Sequence, residues 1–330
     1  MYVQSATGQN HNNRADHIDQ MLVKLKFNGS VLVARRGEII YEKQLGAANM
    51  EFDVPISRDT KFEIASLTKP FTAILTLQLA QAGKLNLEDR LTKYFPELRR
   101  SDAETITIRH MLSHTSGIQD YVGISPEFAS WSDKKVVEEL EKATVSFIPG
   151  TKFQYSSSTY ILLRILLERA TGKSYEQLLE EQILTLAGMT ETGVIHNQKV
   201  IKGKAAGYIR TNDGVKGAYP ILNHELFVGA ASVYTTANDL LKFDRALYSG
   251  TLLNNEFQKL MYTPVQKPYG YGWFIKETDG RNKVVSHGGD TFGYTSLLQR
   301  VLDSETLIVV LSNIQSVDRD AILKVLEGLL

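Results

Sequence analysis

Lys61-Phe62-Glu63-Ile64-Ala65-Ser66-Leu67-Thr68-Lys69-Pro70 is a short strand-like run that turns into an apolar helix, which reaches Ala82 and is stopped by Gly83. Three residues span nearly one helical turn, so the Ser66 hydroxyl and the Lys69 amine are expected on one helical face. A serine hydroxyl is a poor nucleophile until a neighbouring base takes its proton, and a desolvated lysine with a lowered pKa can be that base. The helix N-terminus adds backbone N–H groups and the positive end of a dipole, which suit a developing oxyanion. Alone, the spacing says little. Roughly one or two such pairs arise by chance in a chain this long. A second one stands at Ser132-Asp133-Lys134-Lys135, where the serine reads as a plain helix N-cap.

The flanking sequence predicts how this stretch is framed. Upstream, Ile18, Met21, Leu22 and Leu25 mark a helix from Ala15 to Lys26. Ser30 to Ala34 and Ile39 to Leu45 then read as strands joined by a turn at Arg35-Arg36-Gly37-Glu38. Downstream the pattern is helical over 66–82, 132–142, 157–170 and 174–186, with a Ser174/Gln177 capping box and with Gly172 and Gly188 at helix ends. Strand signals return at Tyr271 to Lys276, Lys283 to Ser286, Thr295 to Val301 and Thr306 to Ser312. A last amphipathic helix carries Ile322, Leu323, Val325, Leu326 and Leu329. The fold class expected is therefore α+β: a sheet domain from residues 15–65 and 229–330, and an inserted, mainly helical domain over 66–228. The cleft between them is the natural site. Residues 1–14 read as a disordered or processed tail.

Composition excludes several functions. The 330 residues are 43% apolar and 22% charged with a formal net charge of zero, as in an ordinary globular protein. There is no basic excess to attract nucleic acid or an anionic membrane. Without cysteine there is no thiol catalysis and no cysteine-ligated metal. No apolar run approaches the roughly 20 residues of a membrane span. The small, polar residues 2–10 read as the remnant of a signal-peptide cleavage region, predicting a periplasmic or secreted protein; a cytoplasmic one is the alternative. His110 and His114 are four apart but lack the adjacent glutamate of a metalloprotease helix, so neither metal nor cofactor is predicted. No Gly-x-Ser-x-Gly elbow of an α/β-hydrolase is present. Tyr269, Tyr271, Trp273 and Phe274 suit either core or a cleft wall. Oligomeric state is not fixed by sequence.

Two further segments change the weight of Ser66. Tyr155-Ser156-Ser157 opens an apolar helix, and His287-Gly288-Gly289 follows the strand Lys283 to Ser286. In this order, Ser66-x-x-Lys69, Tyr155-x-Ser157 and His287-x-Gly289 resemble the three motifs of the serine β-lactamase and penicillin-binding protein-like family. The likeness is to its class C-like branch, which includes D-aminopeptidases, D,D-carboxypeptidases and esterases. Leu112 to Gly117, Leu186 to Thr192, Ala206-Gly207-Tyr208, Thr235 to Leu240 and Tyr269 to Trp273 resemble recurrent segments of that branch, so the likeness runs from about Asn28 to the C-terminus.

The resemblance implies a β-lactamase/transpeptidase-like fold, an antiparallel sheet flanked by helices with the active site in the cleft. It implies Ser66 as nucleophile, Lys69 and Tyr155 sharing proton transfer, and an oxyanion hole from the backbone N–H groups of Ser66 and Asp290. Ser157, His287, Gly288 and Gly289 would bind a peptide or small molecule with a carbonyl centre, and His114 would stabilise the turn at Thr115-Ser116-Gly117. Class C β-lactamases carry Tyr-x-Asn and Lys-Thr-Gly, where this chain has Ser157 and His287. A histidine with a reference pKa of about 6.5 is mostly neutral at pH 7, so a permanent cation for a substrate carboxylate is lost. D-amino-acid peptidase or D,D-carboxypeptidase-like action and carboxylesterase action are therefore favoured over a class C-like β-lactamase. A penicillin-binding sensor or scaffold with weak catalysis is the rival reading.

Overall fold

The runs Val31 to Ala34 and Leu307 to Leu311 are continuously apolar because their sheet is covered on both faces. In the computed structural model, which describes residues 6–121, 130–218, 223–266, 268–278 and 282–330, six strands pair antiparallel. Their order is Phe274–Thr278, Asn282–Thr291, Tyr294–Val301, Thr306–Ser312, Gly29–Arg35, Glu38–Leu45. The central strands thus come from opposite ends of the chain, with Val31 opposite Val310. Side chains alternate across a strand. Val31, Val33, Ile308 and Val310 meet Ile18, Leu22, Ile322 and Leu326 of the two terminal helices. Leu32, Ala34, Leu307, Val309 and Leu311 join the larger core, which includes Phe71, Leu163 and Phe243.

Between the two groups of strands run the helices Lys69–Gln81, Asp133–Lys142, Ser157–Thr171 and Ala237–Tyr248. Phe71 of the first stacks on Phe243 of the last at 4.4 Å between ring centroids, which fixes the helical part against the sheet. The expected α+β architecture, an antiparallel sheet flanked by helices, is the one observed. Among the described residues no helix is long and apolar enough to cross a membrane.

Several boundaries differ from the sequence pattern, each for a local reason. The first helix is Ala6–Lys24 rather than 15–26, so the tail expected over 1–14 is helical from Ala6. Its polar first half shows no apolar stripe to read; residues 1–5 lie outside the described residues. The helix expected over 174–186 keeps its Ser174/Gln177 capping box but widens into a π turn at Glu180–Leu184. There Gln78 Nε2 donates to the Gln182 carbonyl at 2.9 Å, holding it from the other side of a helix pair. The strand expected at Tyr271 begins at Phe274, because Gly272 at φ 78° turns the chain and Tyr269, Tyr271 and Trp273 are buried as core. The strand expected to end at Ser286 continues to Thr291, so His287, Gly288 and Gly289 lie within it. Their glycines mask a pairing that the partners Leu297 and Ser296 sustain.

Candidate active site

The strand Phe62–Glu63 pairs with Val233–Thr235 and then turns sharply. Ala65 sits at φ 47°, a conformation rare for alanine. Residues Ala65–Thr68 form a 3₁₀ turn, not the α-turn the spacing suggested, and the α-helix starts at Lys69. A 3₁₀ turn holds three residues, so side chains three apart eclipse. Lys69 Nζ accordingly lies 3.0 Å from Ser66 Oγ. The turn is pinned from outside: Ser296 Oγ donates to the Ile64 carbonyl at 2.7 Å, and Val233 N–H donates to Thr68 Oγ1 at 3.2 Å.

Lys69 is 0% exposed. Its Nζ also lies 3.3 Å from Ser157 Oγ and 3.1 Å from the Ala230 carbonyl. Burial pushes the amine down to about 7, with the Asp120 charge pulling the other way. These three partners suit a neutral amine. Two N–H groups serve Ala230 and Ser157, and the lone pair is left for the Ser66 hydroxyl.

Tyr155 reaches the same point from the opposite side. Its hydroxyl is hydrogen-bonded to Ser66, yet burial holds the phenol well above its usual range. Lys69 Nζ lies 4.9 Å from the centre of the Tyr155 ring. The backbone around Tyr155 is gripped by a preceding loop. Gln154 N–H donates to the His114 carbonyl at 2.9 Å and Ser156 N–H to His114 Nδ1 at 3.1 Å. Ser157 N–H donates to Asp120 Oδ2 at 3.0 Å and Ser158 N–H to Asp120 Oδ1 at 3.1 Å. Because Nδ1 accepts, the neutral His114 ring carries its proton on Nε2. Burial, with Lys69 and His287 nearby, keeps that ring well below its usual titration range. His114 was expected to stabilise a turn. Its backbone, at φ 55°, belongs to that turn, but its ring packs on Tyr155 at 4.3 Å between centroids. His110 caps its own helix instead, its Nδ1 accepting from Thr107 N–H at 3.3 Å.

The third segment closes the site. The strand Asn282–Thr291 pairs with Phe274–Thr278 only as far as Ser286, so among the described residues His287 to Thr291 have no β partner on that side. Gly289 lies against the Ser66 turn: a Cβ there would strike the Ile64 carbonyl and come within 2.8 Å of Ser66 N. Only glycine allows this approach. His287 is buried across from Tyr155, its Nδ1 donating to the Gly288 carbonyl at 2.7 Å and its Nε2 accepting from Tyr269 Oη at 3.1 Å. Burial first, then Lys69, bring His287 down to about 3, so it is uncharged at neutral pH. The Asp290 carboxylate turns away to Arg319 Nη2 at 2.7 Å, while accepting from Thr295 Oγ1 at 3.0 Å. The same guanidinium occupies the space a Cβ on Gly288 would need.

Ser66, Lys69, Tyr155 and Ser157 are thus within one hydrogen-bonded group, with His287 across from Tyr155 and Gly289 against Ser66. Asp120 and Arg319 were missed by sequence reasoning. Neither stands at a motif spacing, and each reaches its partner from a separate part of the chain.

A match to the Beta-lactamase family model over residues 15–327 establishes that the chain belongs to that family. The chain is 31% identical to penicillin-binding protein 4* of Bacillus subtilis, over 96% of this chain and 76% of that protein. The crystal structure of a penicillin binding protein from Bacillus halodurans superposes with a TM-score of 0.83 at 29% identity, covering 95% of this chain and all of that one. That of the D-amino acid amidase from Ochrobactrum anthropi SV3 gives 0.83 at 25% identity, covering 97% of this chain and 99% of that one. The chain is a serine hydrolase of this family.

Proposed function

We propose that Ser66 attacks the carbonyl carbon of an amide or ester and forms an acyl-enzyme, with Lys69 taking the Ser66 proton. The observation that carries this is the fully buried Lys69 amine, held between Ser66 and Ser157 and brought down to about 7. As the Oγ–C bond forms, the carbonyl electron pair moves to oxygen, where the Ser66 and Asp290 N–H groups receive it. Collapse breaks the bond to the leaving group, which takes a proton from Tyr155. Lys69 restores that proton, and water then releases the acyl group. Tyr155 suits the donor role because burial keeps its phenol protonated. Ser157 orients the Lys69 amine, and His287 with Gly288 and Gly289 forms the substrate-facing wall.

The charge near the third segment bears on the substrate. His287 is neutral, and the cation beside Gly288, Arg319, is already paired with Asp290. A substrate carboxylate would have to displace that partner. Leaving groups without a carboxylate are therefore preferred: D-amino acid amides or peptides attacked away from a free C-terminus, and carboxylic esters. The likeness to a D-amino acid amidase supports the amide. Penicillins, as the likeness to penicillin-binding proteins suggests, acylate slowly. For location we adopt export from the cytoplasm, which cell fractionation tests.

A panel of p-nitrophenyl acetate, a D-amino acid amide, a D-alanyl-D-alanine peptide and a chromogenic cephalosporin tests the reading against Ser66→Ala. Turnover of the first two, lost in the variant, is the expected result. Faster turnover of the two carboxylate-bearing substrates overturns the preference, and turnover that survives Ser66→Ala overturns the mechanism. Covalent labelling with no turnover of any substrate would make the protein a penicillin-binding sensor.

A further inference from the structure

Four of the five backbone N–H groups from Gln154 to Ser158 are received by two residues of one loop, His114 and Asp120. The two differ in kind. His114 is a neutral clamp beneath Tyr155, whereas Asp120 is a half-buried carboxylate that also accepts from Ser158 Oγ at 2.9 Å. It sits at the N-terminus of the 15-residue helix Ser157–Thr171, where a negative charge meets the positive end of the helix dipole. The residue it holds first, Ser157, is the one whose hydroxyl reaches Lys69 Nζ.

We infer that Asp120 is a positioning residue of the proton-transfer machinery, fixing Ser157 against Lys69 and supplying the negative charge that balances an ammonium there. This rests on the proposed roles of Ser66 and Lys69. Among the described residues, Lys69 also has around it the rings of Tyr155 and Tyr160, buried His114 and His287, the Ser66 and Ser157 hydroxyls and the Ala230 carbonyl. Both tyrosines are pushed upward by burial and both histidines downward, so all four are neutral at pH 7. Asp120 is the carboxylate whose charge raises both Lys69 and Tyr155. Neutralising it leaves burial to act on Lys69 with less opposition, so the amine loses its proton at lower pH.

The test is the pH profile of Ser66 acylation by p-nitrophenyl acetate, read as the burst rate from pH 5 to 9, in wild type, Asp120→Asn and Asp120→Glu. Asparagine keeps an acceptor for the helix N-terminus but removes the charge. Its acid limb should move to lower pH by roughly half a unit to one unit. Glutamate keeps the charge but misplaces it, so its limb should stay within a few tenths of wild type while the plateau rate falls about ten-fold, the loss of one well-made charge-assisted bond. An Asp120→Asn profile that overlays wild type, or that falls uniformly without moving, makes Asp120 a helix cap only and overturns the proposal. A burst that survives Ser66→Ala identifies failure of the underlying mechanism instead. Unchanged far-UV circular dichroism separates both from misfolding.

Discussion

Ser66-x-x-Lys69 and Ser132-x-x-Lys135 have the same spacing, and each stands at the start of a helix. At Ser132 the hydroxyl accepts from Lys135 N–H at 3.3 Å, and the lysine side chain pairs with Glu139 one turn on in a half-buried i,i+4 pair at the surface. At Ser66 no such cap forms. The turn tightens to 3₁₀ and the lysine is buried among neutral partners. The difference lies in what surrounds Lys69. The strand that bears Gly289, the carbonyl of Ala230 and the helix that begins at Ser157 enclose Lys69 and take its water away. A motif becomes chemistry when distant parts of the chain desolvate it.

The largest effect should separate the two lysines. Lys69→Ala should lower the acylation rate by about 10²–10⁴-fold, the usual worth of a general base, while Lys135→Ala leaves it unchanged; a burst assay with p-nitrophenyl acetate reads both. Gly289→Ala comes next. Its Cβ pushes the strand off Ser66 N, and the expected loss is ~100-fold in kcat, comparable to losing one oxyanion donor. His114→Phe keeps a ring beneath Tyr155 but leaves Ser156 N–H without its acceptor. A loss of about ten-fold in kcat is expected with KM little changed; an equal rise in KM would instead mean a distorted binding wall.

Stability sharpens the same contrast. The folded Lys69 amine titrates near 7 and an unfolded lysine near about 10.4. Between these values the unfolded chain binds more protons, so folding stability should climb as pH rises through that window. Lys69→Met should flatten the climb and Lys135→Met should not, as urea unfolding at pH 7 and pH 9 would show. The smallest effect belongs to Ser132→Ala. Loss of that N-cap should cost about 1 kcal/mol by denaturant unfolding and leave activity alone.

Much of the fold was legible because the sheet advertises itself. Runs such as Val31 to Ala34 and Leu307 to Leu311 are short, apolar and rich in β-branched residues, which reads as strand, and the Ser174/Gln177 box marks its helix start locally. Two of the misreadings share a cause: a distant part of the chain lies against the segment that was misread. Gln78 bonded to Gln182 opens the π turn, and the Leu297 and Ser296 partners keep His287 to Gly289 in a strand that their glycines disguise. The candidate site divides in the same way. Ser66, Lys69, Tyr155 and His287 could be picked out because their motifs, in this order, resemble those of the family. Asp120, 37 residues from Ser157, and Arg319, which neutralises Asp290 from the last helix, carry no spacing signal and emerge only when the chain is folded.

The central claim is that the buried pair, and not the exposed one, activates its serine. Intact-mass and peptide-level mass spectrometry after treatment with a fluorophosphonate serine reagent tests it directly. A single adduct on the peptide containing Ser66 is expected, absent from Ser66→Ala and unchanged in Ser132→Ala. An adduct that persists in Ser66→Ala, or that maps to another serine, would contradict it.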